Sequence, residues 1–207
     1  MKNKHSVMRL TEEKQFKKEF LDKKEQSLLK LEKAYMHDMV DEGISRVLRM
    51  INSYDEYYTS SSCSGRVLIL EIPLLGDKKN ARVLGKWHVR VNAQDVLDSV
   101  KKAEKGMIWL LSQSPILHIG CSSLKAANTL VKLAVSSGFK NSTVKSTGKR
   151  ITVELSSTER LDAPLGKDGV LFCDQKYIEL LVDISNMIIE RSNKKIRSLE
   201  KRLETIR

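Results

Sequence analysis

Thr59-Ser60-Ser61-Ser62-Cys63-Ser64-Gly65-Arg66-Val67-Leu68-Ile69-Leu70-Glu71-Ile72-Pro73 sets a run of hydroxyl side chains directly against a run of aliphatic ones. The aliphatic half, Arg66 to Ile72, predicts a strand stopped by a proline, which cannot donate to a ladder. The hydroxyl half predicts a polar binding loop at the mouth of that strand. Gly65 lets backbone approach closely there, and Arg66 offers a planar fork. Hydroxyls, free backbone N–H groups and a guanidinium all donate to anionic oxygen, so the loop suits a carboxylate or a phosphate. Further along, Trp87-His88-Val89-Arg90-Val91 alternates between faces, 108–111 and 116–119 are apolar runs of strand length, and 151–155 alternates again. Helices fall at 93–105, ending before Gly106, and at 124–137, closed by Gly138. Several strands therefore follow each other directly, which favours an α+β fold with a mixed sheet over a doubly wound parallel one.

Both ends read as helical. No Gly or Pro interrupts 8–33, and Leu10, Phe16, Phe20, Leu21, Leu28, Leu31 and, just beyond it, Tyr35 recur at three- and four-residue steps. Glu12, Glu13 and Lys17 supply i,i+4 partners on the other face. A second helix over 42–51 puts Ile44, Val47, Leu48 and Ile51 on one side, with Asp38 or Asp41 as its cap. Over 174–206, Ile178, Leu181, Val182, Ser185, Ile188, Ser192, Ile196, Leu199, Leu203 and Ile206 form a narrow stripe near heptad spacing. Such a helix reaches roughly 45–50 Å at 1.5 Å per residue and needs a partner for its apolar edge. The N-terminal helix is the economical partner, as an antiparallel pair; a coiled-coil dimer between two chains is the rival. The whole reads as one domain over 1–207, with N-terminal helices over 1–55, a mixed-sheet core over 56–172 and a long helix over 173–207.

Composition narrows the class. With 41% hydrophobic and 30% charged residues in 207, the chain is neither a disordered polymer nor a membrane protein. No apolar run approaches the roughly 20 residues of a membrane helix, and Met1-Lys2-Asn3-Lys4-His5 does not open a secretory signal. Three widely spaced cysteines, with no C-x-x-C and no histidine pair at ligand spacing, argue against a disulfide framework or a metal site and for a cytoplasmic protein. Residues 56–172 carry 17 Lys+Arg against 10 Asp+Glu, net +7, while each end nets only +2. A polyanion such as nucleic acid is the fitting partner for that middle.

Neither G-x-G-x-x-G nor a P-loop is present, so a nucleotide-like ligand must be held in another way. Gly120, where a strand runs into a helix start, either turns the chain or contacts a ligand. In a strand, Lys86 and His88 share one face while Trp87 takes the other, to stack on a base or to fill the core. His118 sits in an apolar strand, as a core histidine or a titrating group. A second polar segment, Ser156 to Gly166, places Arg160 and Asp162 on one face of an extended chain, as an internal salt bridge or a second ligand loop. Lys125, Lys132, Lys140, Lys145, Lys149 and Arg150 form a basic surface able to track a phosphate backbone.

Ser60-Ser61-Ser62-Cys63-Ser64-Gly65-Arg66, Gly85-Lys86-Trp87-His88, Ser114-Pro115-Ile116-Leu117-His118, Ser137-Gly138-Phe139-Lys140-Asn141-Ser142 and Ser157-Thr158-Glu159-Arg160-Leu161-Asp162-Ala163-Pro164-Leu165-Gly166 occur in one order. In that order and spacing the chain resembles the tRNA wybutosine-synthesizing protein 3 family, archaeal members more than eukaryotic ones. Ser60, where threonine is expected, and Ala163, where a β-branched residue is expected, depart from its pattern. The resemblance implies an S-adenosylmethionine-dependent methyltransferase that N4-methylates the 7-(3-amino-3-carboxypropyl)-4-demethylwyosine base at position 37 of tRNA-Phe, beside the anticodon. It also implies a barrel-like mixed sheet made of two similar strand–helix repeats. Carried over residue by residue, Ser61, Ser62, Cys63, Ser64, Gly65 and Arg66 form one site loop, completed by Lys86, Trp87, His88, His118, Ser157, Thr158, Arg160 and Asp162.

Methyl transfer from a sulfonium is an in-line displacement that needs positioning and, for a protonated nitrogen, a proton acceptor. The donor is already activated, so no metal is required. His88, His118 and Asp162 are the candidate acceptors, unranked. Lys125, Lys132, Lys149 and Arg150 are the candidates for the RNA backbone of the anticodon arm. The rival readings are a non-catalytic RNA-binding module and a helical interaction protein that uses the sheet as a scaffold.

Overall fold

The computed structural model describes residues 2–77 and 79–205, with side chains from Glu13 onward; the Leu10, Glu12 and Ile206 assignments fall outside the described side chains. In chain order the elements are α1 (Lys2–Met36), α2 (Glu42–Asn52), β1 (Tyr57–Cys63), β2 (Arg66–Ile72), β3 (Arg82–Trp87), α3 (Ala93–Val100), β4 (Met107–Gln113) and β5 (Ile116–Cys121). Then follow α4 (Leu124–Ser136), β6 (Thr143–Ser146), β7 (Ile151–Ser156), β8 (Arg160–Lys167), β9 (Val170–Leu171) and α5 (Gln175–Glu204). They divide into two compact units, each discontinuous in sequence. The first takes Met1–Cys63, Ile116–Ser157 and Lys195–Arg207, and the second takes Ser64–Pro115 and Thr158–Lys194.

The α+β class holds. In place of one mixed sheet there are two sheets, and every described strand pair in them is antiparallel. The first unit carries the order β1-β5-β7-β6 and the second β3-β2-β4-β8-β9. The reason lies in the connections. A parallel neighbour needs a crossover helix, and among the described residues α3 and α4 are the only helices between strands that lie in the same sheet. Each joins two strands that are separated by an antiparallel third: β2 lies between β3 and β4, and β7 lies between β5 and β6.

In the first unit the inner faces of β1, β5 and β7 pack on α2 and α4 through Ile44, Val47, Leu48, Ile51, Ile119, Val153, Leu130 and Phe139. The expected face of α2 is buried as read. Its N-cap position is Asp41, but that side chain makes no cap hydrogen bond. Phe20 of α1 packs its ring on Tyr58, 5.4 Å between centroids, whereas Leu21, one residue and about 100° further round the helix, is 51% exposed. The last turns of α5 bury Ile196, Leu199 and Leu203 in the same core, and Arg46 of α2 pairs with Glu204 at 2.8 Å.

In the second unit β2, β4 and β8 pack Val67, Ile69, Ile108, Leu110 and Leu165 on Ile178, Leu181, Val182 and Ile189 of α5. The stripe read along this helix is buried at every described position. The helix expected over 93–105 stops at Val100. The buried Glu71 carboxylate accepts the backbone N–H groups of Glu104 and Lys105 and draws the chain away from the helix. Trp87 ends β3, so Lys86 and His88 are not strand neighbours on one face. The chain beyond is held by Asn186, whose amide accepts from Val91 N and donates to Val91 O, both at 2.9 Å.

Gly120 does not turn the chain. It lies in β5 opposite Tyr58, and a Cβ there would fall 2.2 Å from the Tyr58 ring. That ring is trapped against Phe20, so it cannot yield without losing the α1 contact. Gly120→Ala is expected to lower unfolding free energy by about 1–3 kcal/mol, as overpacked cores do. Urea denaturation checks this, and an unchanged midpoint would show that the ring is free to move.

Candidate active site

The hydroxyl run expected as a loop is strand β1. Its ladder with β5 shifts between Thr59 and Ser61, leaving Ser60 as an extra residue. Thr59 is buried opposite Ile119. By strict alternation Ser61 would share that inner face, but the bulge turns it to the other side, opposite His118. Ser60 Oγ donates to the His118 carbonyl at 3.2 Å, and Ser61 Oγ meets His118 Nδ1 at 2.9 Å. On the next strand Glu154 is paired with His118 in register, and its Oε2 lies 3.0 Å from Nε2. The other carboxylate oxygen is 3.1 Å from Lys145 Nζ, which sits at a second bulge, in β6. Burial pushes the Glu154 carboxyl up, but hydrogen bonds and charge from Lys145 and His118 outweigh it and hold the carboxyl below its usual range. A groove of about 210 Å³ is lined by Ser60, Ser61 and Ser62 together with Lys30 of α1 and Asp41. Ser157, in the same unit, is buried and accepts from Lys195 Nζ at 2.6 Å.

A second polar row crosses the other unit. Arg66 pairs with Gln113, and Gln113 with Arg160, across β2, β4 and β8 at one end of the sheet. Arg66 Nε donates to Gln113 Oε1 at 3.0 Å, which fixes the plane of the guanidinium. Arg160, on a strand rather than on the expected ligand loop, is bound to Asp162 at 2.5 Å. Thr158 is exposed at the start of that segment. Gly65 has φ +93°, and a Cβ there would lie 2.8 Å from the Gln113 carbonyl oxygen, so this close turn into β2 requires glycine. His88 Nδ1 donates to the Gly65 carbonyl at 2.8 Å and lies 3.3 Å from the Ser64 hydroxyl. Trp87 packs on the core, its ring over Gly85, while Lys86 is exposed.

The structure thus gathers Ser61 with His118 in one unit, and Ser64, Gly65 and His88 in the other. Ser62 and Cys63 lie further along β1, paired with Leu117 and Ile116. Glu154 and Gln113 were not singled out from sequence, and Lys145 was read only as part of the basic surface. The available signal was a lone carboxylate in the alternating 151–155 strand.

The basic side chains Lys125, Lys132, Lys140, Lys145, Lys149 and Arg150 are all exposed and all in the first unit. That unit holds 23 Lys+Arg against 14 Asp+Glu, net +9, whereas the second holds 14 against 12. Among the described residues no helix is long and apolar enough to cross a membrane. Cys63, Cys121 and Cys173 form no disulfide among the described residues, and burial pushes the Cys121 thiol up to about 12.

The model of the family described as Methyltransferase TYW3 matches residues 17–205. The chain belongs to this methyltransferase family. A Pyrococcus furiosus relative named tRNA(Phe) 7-((3-amino-3-carboxypropyl)-4-demethylwyosine(37)-N(4))-methyltransferase 1 is 44% identical over 193 residues, 93% of this chain and 98% of that protein. A relative of the same activity name from Methanocaldococcus jannaschii is 39% identical over 91% of this chain and 98% of its own. A solved Pyrococcus horikoshii structure has a TM-score of 0.87 at 44% identity, covering 91% of this chain and 97% of that one. An Aeropyrum pernix structure reaches 0.70 at 26% identity, covering 80% and 98%.

The depressed Glu154 carboxyl makes a prediction about acid stability. Its contribution is fully present above the ordinary value of 4.5 and is lost as pH falls through the lowered folded-state value. Glu154→Gln should therefore lose less stability than the wild type below pH 4.5, measured as urea midpoints across acidic buffers. Equal acid losses in the two proteins would contradict the pairing.

Proposed function

We propose that the protein transfers a methyl group from S-adenosylmethionine to N4 of 7-(3-amino-3-carboxypropyl)-4-demethylwyosine at position 37 of tRNA-Phe, in wyosine-derivative biosynthesis in the cytoplasm. The observation that carries this reading is 44% identity to a relative of that name across 98% of its length. A match of that extent leaves almost none of the relative's chain without a counterpart to supply the activity. The 207 residues are read as one functional domain. The strand–helix–strand segment in each unit supports reading the fold as two similar repeats; the stripe of α5 over 178–189 is covered by β2, β4 and β8 and not by α1, which corrects the expected antiparallel pair along that length.

The residues present fit the donor's chemistry. A carboxylate calls for a planar, permanently charged fork, and Arg66 has its Nε held by Gln113 while its terminal nitrogens extend beyond that bond. Arg160 is already engaged by Asp162. Arg66 therefore holds the carboxylate, with Ser64 and the Gly65 backbone beside it. When bound, S-adenosylmethionine supplies an activated methyl on a sulfonium. The protein's share of the work is to hold donor and base in line and to accept a proton. The net positive charge of the first unit, where Lys125, Lys132, Lys149 and Arg150 face solvent, supports it as the surface for the RNA; the anticodon arm is the part of the tRNA that would bring position 37 to the site.

Two measurements test this reading. Nucleosides from tRNA of a strain lacking the protein should contain a precursor lighter by one methyl, seen by mass spectrometry; a fully methylated nucleoside there would sink the reading. In titration calorimetry, Arg66→Lys should weaken donor binding by about one to two orders of magnitude, the equivalent of roughly 1.5–3 kcal/mol for a charge-assisted hydrogen bond, with little change in melting temperature. Normal donor affinity with a lowered melting temperature would make Arg66 structural.

A further inference from the structure

Ser61, His118, Glu154 and Lys145 come from all four strands of the first sheet and stand in one hydrogen-bonded line. Both ends of the line are made by bulges: one turns Ser61 toward His118, and the other places Lys145 beside Glu154. A surface ion pair needs neither bulge, and the central pair is withdrawn from solvent, with side chains 35% and 19% exposed. A carboxylate only accepts, so the His118 nitrogen facing Glu154 carries the hydrogen. The neutral ring then presents a lone pair at Nδ1, where the Ser61 hydroxyl donates. That leaves the Ser61 oxygen free to accept from a bound N–H.

We propose that Glu154 is the positioning residue for His118, holding Nε2–H so that Nδ1, through the Ser61 hydroxyl, accepts the proton shed by the ring nitrogen as it is methylated. This rests on the methyl-transfer reading above. The balance is as follows: the nitrogen's electron pair forms the new C–N bond, and the methyl–sulfur pair stays on sulfur. The N–H proton goes to Ser61 Oγ while the Ser61 proton goes to Nδ1. The sulfonium's positive charge is thereby exchanged for an imidazolium, and Glu154 faces that imidazolium directly. Lys145 keeps the carboxylate ionised by binding its second oxygen. The charged groups around His118 are Glu154 of β7 and Lys145 of β6, with Lys30 of α1 and Asp41 on the groove that holds Ser60 to Ser62.

Imidazole nitrogen shifts of the ¹⁵N-labelled protein, followed against pH, read this directly. The neutral His118 ring should be the Nε2–H tautomer, and Glu154→Gln should lower its pKa, because a carboxylate beside the imidazolium favours the charged form. The single-turnover methylation rate should rise with pH through the same ionisation. In Glu154→Gln the rising limb should move to lower pH and the plateau should drop by about 10–100-fold, with donor affinity unchanged. Glu154→Asp should recover part of the rate. An Nδ1–H tautomer, a His118 pKa unmoved by Glu154→Gln, or a rate profile that only scales without shifting would overturn the assignment. A wild-type chain that transfers no methyl overturns the methyl-transfer reading and the origin of the proton with it, whereas the tautomer and pKa results still decide whether Glu154 positions His118.

Discussion

One extra residue in β1 decides which side of the first sheet its serines face. Without the bulge at Ser60, strict alternation would place Ser61 on the inner face with the buried Thr59, against a core of Ile119, Val153 and α2. A hydroxyl there would need a partner that this apolar core does not offer. With the bulge, Thr59 keeps its inward place, held by Asn52, whose side chain accepts from Thr59 N at 2.9 Å and donates to Thr59 Oγ1 at 2.8 Å. Ser61 then faces outward beside His118. The separate, unshifted register of β5 with β7 lines His118 up with Glu154, so the bulge brings Ser61 to a pair that is already in place.

The second unit solves a related problem with a glycine and a glutamine. Gly65 allows the left-handed turn into β2, and Gln113 between two strands sets the plane of Arg66. The two units also differ in charge. The first carries most of the net positive balance on exposed helix and hairpin positions, while the second is nearly neutral. Phosphate binding, proposed for the first unit, and small-anion binding by one oriented guanidinium, proposed for the second, are different tasks. The first needs many mobile cations and the second needs one fixed fork.

Much of the helical frame was legible in the sequence, because a helix advertises itself locally. Ile44, Val47, Leu48 and Ile51 on α2, and the long stripe from Ile178 to Leu203 on α5, are buried as their spacing requires. Strands were readable only where aliphatic residues made them. Thr59 to Cys63 and Arg160 to Lys167 carry serines, charges, a proline and a glycine, so their local signal was that of a loop. Tertiary pairing overrode it: β1 is built onto β5, and β8 onto β4. Pro164 is tolerated in β8 because β9 pairs only with Gly166 and Lys167, leaving the proline at an open edge. The site was legible as a set of residue types but not as a set of partners. His118 and Glu154 are 36 positions apart, and Arg66 and Gln113 are 47 apart. Only the register of the folded sheet brings them together, and the two bulges that complete the first row leave no mark in a single sequence.

The most direct test of the account is to incubate the purified protein with S-adenosylmethionine labelled in its methyl group and with tRNA from a strain that lacks it, then digest the tRNA to nucleosides. The account predicts that the label appears on a ring nitrogen of the tricyclic base of tRNA-Phe and on no other nucleoside. Label on a different nucleoside, or none on any, would contradict it.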